Sequence, residues 1–125
     1  MRPGRCRRTF TLAFAAVGLA LAAANALPTA HAATVQRVVV KMSEYRFRLS
    51  TATVHRGTVV FTIVNKGQLP HDFSIQKLNK VSTLVQPGRQ TTMRVTFKRA
   101  GSYYYVCTVG AHVQYGMYGT LRVKR

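Results

Sequence analysis

The chain has 125 residues, of which 19 are lysine or arginine and only 2 are aspartate or glutamate, so its formal net charge is +17. This length allows one domain with a targeting segment and excludes a multi-domain oxidase or a large α/β enzyme. A hydrophobic fraction of 47% excludes a disordered basic tail, which would lack the apolar residues of a core.

The first 32 residues have the composition of a secretory signal. Four arginines precede residue 9, a run made almost only of small and apolar residues spans 10–27, and Ala30-His31-Ala32 follows as a small-x-small site. We therefore predict cleavage after Ala32 and a location in the periplasm or the extracytoplasmic envelope. Residues 7–10 also resemble a twin-arginine export motif. An uncleaved membrane anchor is the alternative, because the apolar run is near the lower length that spans a bilayer.

The predicted domain, residues 33–125, contains a single cysteine. It has 93 residues, 15 of the 19 basic residues and both acids, Glu44 and Asp72, so its net charge is +13. Exported domains of this size usually use paired cysteines as staples. The unpaired Cys107 is therefore an inert buried thiol, an intermolecular link or a chemically employed thiolate.

Short runs rich in Val, Thr, Tyr, Phe and Ile, separated by turn residues, predict that this domain is all-β. Residues 44–50 and 91–98 alternate apolar with basic or polar side chains, and 58–65 is nearly all apolar, as in a central strand. Further strands are predicted at 35–42, 72–76, 102–107 and 119–124. Residues 77–85 are predicted to form a loop or a partial helix. Seven to eight strands in about 90 residues indicate a β-sandwich with Greek-key connections.

The last predicted turn region combines a cysteine, a histidine and a methionine. Their spacing is Cys107-x4-His112-x4-Met117, which keeps a thiolate, an imidazole and a thioether within reach of one ion. His71, in the segment Pro70-His71-Asp72-Phe73, is a fourth candidate. Each of these residues alone has a commoner role, such as core packing for a lone cysteine. Together, two imidazoles, one thiolate and a weak axial thioether are the ligands of a blue-copper centre.

These residues and the strands around them resemble the cupredoxin family, of the plastocyanin, auracyanin and rusticyanin type. The resemblance covers nearly all of residues 33–125, and the spacing of the last three candidates is similar to the auracyanin and rusticyanin pattern. It implies that one copper ion is held by His71, Cys107, His112 and, axially, Met117. It also implies that the protein transfers single electrons and that they leave through the edge of His112.

Two positions depart from the family pattern. Gly110-Ala111 stands where many members have Pro-Gly, so we expect a less rigid ligand loop. Asp72 stands where the family often has an asparagine whose side chain ties the two ligand loops together. Because neighbouring groups tune the potential of a metal, we expect the charge of Asp72 to favour Cu(II).

Other functions fit the sequence less well. A thiol hydrolase built on Cys107 and a histidine would need a substrate cleft and an oxyanion hole, for which a sandwich of about 90 residues leaves little room. A multicopper oxidase would need further histidine clusters, and the chain has only four histidines. We therefore expect a non-enzymatic carrier, with a copper-handling protein for delivery or storage as the alternative.

The positive charge suggests nucleic acid, but the export signal and the scatter of the arginines over outward positions argue against that partner. We expect a monomer that long-range electrostatics steer toward acidic redox proteins, with association with anionic membrane surfaces as a further consequence. Alternation along the strand predicts that Tyr103 and Tyr105 point inward with Cys107, whereas Tyr104 points outward.

Overall fold

The computed structural model describes residues 34–125, so the predicted signal segment 1–32 lies outside the described residues. These residues form nine β-strands in two sheets and one short 3-10 turn, Gln76–Leu78. The predicted all-β sandwich is confirmed. No helix within residues 34–125 is long and apolar enough to cross a membrane.

The two sheets have four and five strands. The four-stranded sheet contains β1 (Gln36–Ser43), β2 (Arg46–Leu49), β4 (Gly57–Asn65) and β7 (Gln90–Phe97), in the order β2-β1-β4-β7. The five-stranded sheet contains β3 (Thr53–His55), β5 (Ser74–Ile75), β6 (Lys80–Val81), β8 (Gly101–Val106) and β9 (Tyr118–Lys124), in the order β3-β9-β8-β5-β6. The pairs β1/β4 and β3/β9 are parallel, and the others are antiparallel.

Alternation along the strands produces the core between the sheets. In β4, Val59, Phe61 and Ile63 are fully buried, while the residues between them are half-buried on the outer face. β7 and β1 alternate in the same way, and β8 and β9 contribute the buried side chains of the opposite sheet. Each large apolar side chain buried in this way stabilises the fold by about 1.5–3 kcal/mol relative to leaving it in water.

The structure has two strands more than the seven placed along the sequence. β3 has three residues and β6 has two, and each is defined by its pairing with a neighbouring strand, which a sequence pattern this short does not reveal. Residues 77–85, expected to form a loop or a partial helix, contain the end of the 3-10 turn, the short strand β6 and a loop. Glu44 and Tyr45, expected at the start of a strand, form the turn between β1 and β2.

An aromatic cluster lies at one end of the sandwich. The ring of Phe73 is 5.4 Å from that of Phe47, 5.4 Å from that of Phe61 and 5.1 Å from that of Tyr105, measured between ring centroids. Phe73 follows His71 by two residues, and Tyr105 precedes Cys107 by two. The cluster therefore packs next to the segments that carry His71 and Cys107.

Candidate metal centre

Cys107 directly follows strand β8, and this strand determines its position. Tyr103, Tyr105 and Cys107 are all buried and Tyr104 is exposed, as the alternation predicts. The backbone N–H of Cys107 donates to the carbonyl of Met117 at 3.0 Å, which continues the pairing beyond the strand. The thiol is 0% exposed, and this burial argues against an intermolecular link through it.

The loop between Cys107 and Met117 folds back through a series of tight turns. The backbone N–H of His112 donates to the carbonyl of Val109 at 3.1 Å, and that of Met117 donates to the carbonyl of His112 at 3.0 Å. Gly110 and Gly116 have φ values of 46° and 98°, in the left-handed region that favours glycine. These turns bring His112 and Met117 back to the end of β8, and both side chains are buried.

His71 is held by an isolated backbone bridge to Val85. The N–H of His71 donates to the Val85 carbonyl at 3.1 Å, and the N–H of Val85 donates to the His71 carbonyl at 2.8 Å. The buried side chain of Asn65 supports this segment. Its amide donates to the carbonyls of Leu69 and Val85 at 2.8 Å each, and its oxygen accepts the N–H of Gly67 at 2.8 Å.

The three predicted ligands His71, Cys107 and His112 lie together and are all buried. The Nδ1 atoms of the two histidines are 3.1 Å apart, and the Cys107 Sγ is 3.9 Å from Nδ1 of His71 and 3.5 Å from Nδ1 of His112. Zinc sets the scale for an ion of this size, with bonds of about 2.0–2.1 Å to nitrogen and about 2.3 Å to sulfur. Donors that share such an ion cannot be more than about 4.3 Å apart on that scale, and all three separations satisfy this limit.

The donor set and its surroundings fit copper. Two imidazole nitrogens and one cysteine sulfur are the strong ligands of blue-copper sites. Burial raises the pKa of the Cys107 thiol and lowers the pKa of the His112 imidazole. Without a metal, the site therefore holds a protonated thiol and a neutral His112 imidazole. Metal binding must displace the thiol proton.

Met117 is fully buried in the core. Its backbone carbonyl accepts from Cys107 and its N–H donates to His112, so its main chain is tied to both ligands. This position fits the expected axial ligand, and that role stays a prediction.

Asp72 connects the two ligand loops although it lacks the amide donor of asparagine. Its Oδ1 accepts the backbone N–H of Thr108 at 2.7 Å, and its Oδ2 accepts the Thr108 hydroxyl. The donors are supplied by Thr108 instead. The link between the segments of His71 and Cys107 is therefore kept, although Asp72 departs from the family pattern.

The turn between β1 and β2 is a part of the site that the sequence analysis missed. The Glu44 Oε1 atom accepts from Nε2 of His71 at 3.1 Å, and the Tyr45 ring meets the His112 ring edge-on with centroids 5.1 Å apart. Tyr45 in turn contacts Tyr115, which is 64% exposed. The only signal in the sequence is that Glu44 is one of two acids in a strongly basic chain.

The cupredoxin-like domain model matches residues 11–123. The chain belongs to the cupredoxin family. One copper ion is the cofactor that this family and the buried cluster support. A comparison with curated protein sequences finds no match.

Solved cupredoxin structures have the same fold at low sequence identity. Auracyanin A, a "blue" copper protein of Chloroflexus aurantiacus, superposes with a TM-score of 0.62 at 20% identity, over 73% of this chain and 100% of its own. The auracyanin of Roseiflexus castenholzii gives 0.59 at 19% identity, over 74% and 98%. The copper-containing nitrite reductase of Thermus scotoductus gives 0.60 at 23% identity, over 73% of this chain but only 28% of the enzyme. This cupredoxin thus spans the length of the auracyanins and about a quarter of the reductase.

Proposed function

We propose that this protein is an exported type-1 copper protein that carries single electrons between redox partners, with His71, Cys107, His112 and Met117 as its ligands. The observation that carries the proposal is the buried triangle of two Nδ1 atoms and one Sγ atom, with sides of 3.1, 3.5 and 3.9 Å. When bound, copper supplies a one-electron Cu(II)/Cu(I) couple, which thiolate and imidazole ligands together support.

The protein contributes rigidity around the ligands. His71 is fixed by its bridge to Val85, and Cys107 is fixed by its backbone bond to Met117. Because these bonds do not depend on the charge of the metal, the ligands can keep their positions when one electron is added or removed. His71 is 0% exposed and His112 is 8% exposed, so His112 is the ligand through which we propose that electrons leave.

The surface near His112 differs from the rest of the protein. Residues 107–119 contain no charged side chain. Tyr115 in this range is 64% exposed, and Leu69 is 40% exposed. We propose that this surface docks transiently against acidic redox proteins, which the net charge of the domain attracts from a distance.

The cations of residues 34–125 are exposed, and some of them share one face of the sandwich. Five of them lie on the outer face of the four-stranded sheet, at Arg37, Lys41, Arg46, Arg48 and Arg94. We propose that this face contributes the attraction to acidic partners and to anionic envelope membranes. We also propose that the protein is a monomer. Nucleic acid is not its proposed partner, because the chain has the features of an exported protein.

A carrier is also favoured over an enzyme. Outside the cluster, the described residues contain one further histidine, the exposed His55, and no further cysteine. A second metal centre of the kind that multicopper enzymes use would need more such ligands. The same counts leave the copper-handling alternative open, because delivery also needs only one site.

A redox cycle in the presence of a Cu(I) chelator tests the proposal. The purified, copper-loaded protein is reduced, held with the chelator, and then reoxidised. A carrier keeps its copper and recovers its full absorption after one electron per copper has been returned. Loss of the copper to the chelator on reduction would contradict electron carriage and would favour delivery.

A further inference from the structure

We propose that Glu44 is a positioning residue of the metal centre: it fixes the tautomer of His71 and places one negative charge behind that ligand, which favours the oxidised metal. This inference deepens the proposed function and rests on it only for the effect on the oxidised metal. Its structural half concerns the metal-free protein.

Three donors converge on one oxygen of Glu44. Oε1 accepts the backbone N–H of Gln68 at 2.8 Å, the backbone N–H of Leu69 at 2.7 Å and Nε2 of His71 at 3.1 Å. A carboxylate can only accept hydrogen bonds, so Nε2 of His71 must carry the proton. The lone pair of a neutral His71 is then on Nδ1, the atom that lies in the ligand triangle. Glu44 therefore selects the tautomer that metal binding requires, as outer-shell carboxylates do elsewhere.

Gly67 shows that the loop before His71 is built around this carboxylate. A Cβ atom at this position would collide with the Glu44 carboxylate, so a residue with a side chain would displace it. The N–H of Gly67 donates to the buried Asn65 at 2.8 Å, which holds the glycine in place. Residues 67–69, which are distant from Glu44 in the sequence, thus pack closely around its carboxylate.

The charge of Glu44 is not used in an ordinary surface ion pair. Within residues 34–125, neither Glu44 nor Asp72 forms a salt bridge with any of the 15 lysines and arginines, and the side-chain partner of Glu44 is the imidazole of His71. The Glu44 side chain is 27% exposed, so part of its field is not screened by water. A fixed negative charge hydrogen-bonded to a ligand stabilises the higher positive charge of the metal, and the effect is larger for Cu(II) than for Cu(I).

Two substitutions separate the hydrogen bond from the charge. Glu44→Gln keeps an oxygen that accepts from His71 and removes the charge, whereas Glu44→Ala removes both. Asp72→Asn is a control for the tautomer readout alone, because it removes the other acid, which binds Thr108 and not the His71 ring. Stability of each metal-free variant is measured by denaturant unfolding, and Gly67→Ala provides a variant that moves the carboxylate without changing the charge.

The first readout is the tautomer of His71 in the metal-free protein, observed by long-range ¹H–¹⁵N NMR. We expect protonation at Nε2 alone in the wild type, in Glu44→Gln and in Asp72→Asn, and a mixture of tautomers in Glu44→Ala and Gly67→Ala. A single Nε2-protonated form in Glu44→Ala would overturn the structural half of the proposal. This measurement decides that half even if the wild-type protein fails the redox cycle described above.

The second readout is the affinity for Cu(II) and for Cu(I), measured by competition with chelators. Removing an outer-shell partner typically costs 10–100-fold in metal affinity. We expect Glu44→Gln to lower the affinity for Cu(II) about 10-fold and the affinity for Cu(I) by a smaller factor. We expect Glu44→Ala to lower the affinity for Cu(II) about 100-fold. Equal losses for the two oxidation states in Glu44→Gln would overturn the electrostatic half.

Discussion

Replacement of Asn65 by alanine tests how the first ligand segment is held. The side chain is 0% exposed and makes three hydrogen bonds of 2.8 Å, to Leu69, Val85 and Gly67. A buried hydrogen bond contributes about 0.5–1.5 kcal/mol net, so their joint loss should lower the free energy of unfolding by about 3 kcal/mol. For a domain of this size, that loss corresponds to a fall in Tm of roughly 12–24 °C.

The assay is denaturant unfolding of the metal-free protein, followed by far-UV circular dichroism. Thr92→Ala, on the exposed face of β7, is the control and should change stability by no more than about 0.5 kcal/mol. Asn65→Asp keeps the acceptor for Gly67 but turns a carboxylate toward two carbonyl oxygens, so it should be at least as unstable as Asn65→Ala. A loss below about 0.5 kcal/mol in Asn65→Ala would refute the reasoning, because it would mean that the three bonds contribute nothing net.

Three further predictions concern the ligands. Cys107→Ser should remove the copper dependence of Tm, because a ligand that binds only the folded state stabilises it; a thermal shift with Cu(II) that survives this change would contradict the ligand assignment. Met117→Gln should keep the copper site and change its reduction potential, measured by spectroelectrochemistry, since the axial ligand tunes the potential; complete loss of copper would mean that Met117 is more than a weak axial ligand. Because burial raises the pKa of Cys107, the thiol is protonated at pH 7 and Cu(II) binding should release one proton, so the apparent affinity should rise about tenfold per pH unit toward neutrality. Calorimetry in buffers of different ionisation enthalpy measures that proton, and an affinity independent of pH would contradict a thiolate ligand.

The strands that were predicted well are those whose sequence alternates over many residues. β4 and β7 each bury every second side chain, so their pattern follows directly from the two faces of a strand. β6 has only two residues, and both are exposed. Its existence depends on pairing with β5, which composition alone does not encode.

The clustering of His71, Cys107 and His112 was predicted because the spacing of the candidates is local and matches a known family. Cys107, His112 and Met117 lie within eleven residues, and His71 follows a recognisable strand and turn. The role of Glu44 was not predicted, because its contact with His71 joins residues 27 positions apart and depends on the path of the turn between β1 and β2. A contact of this kind is determined by tertiary structure and leaves no periodic signal.

Asp72 gives a different lesson about family patterns. The sequence comparison correctly identified a departure from asparagine, and the expected loss of an amide donor is real. The link between the ligand loops nevertheless persists, because Thr108 supplies both donors to the carboxylate. The identity of a single residue therefore predicts the connection less well than the complementarity of the two residues that form it.

A titration of the purified metal-free protein with Cu(II), followed by visible absorption, tests the central claim most directly. If His71, Cys107 and His112 hold one copper ion with a thiolate ligand, an intense blue colour should develop and saturate at one equivalent. Copper that binds without this absorption, or an absorption that continues to grow beyond one equivalent, would contradict the site described here.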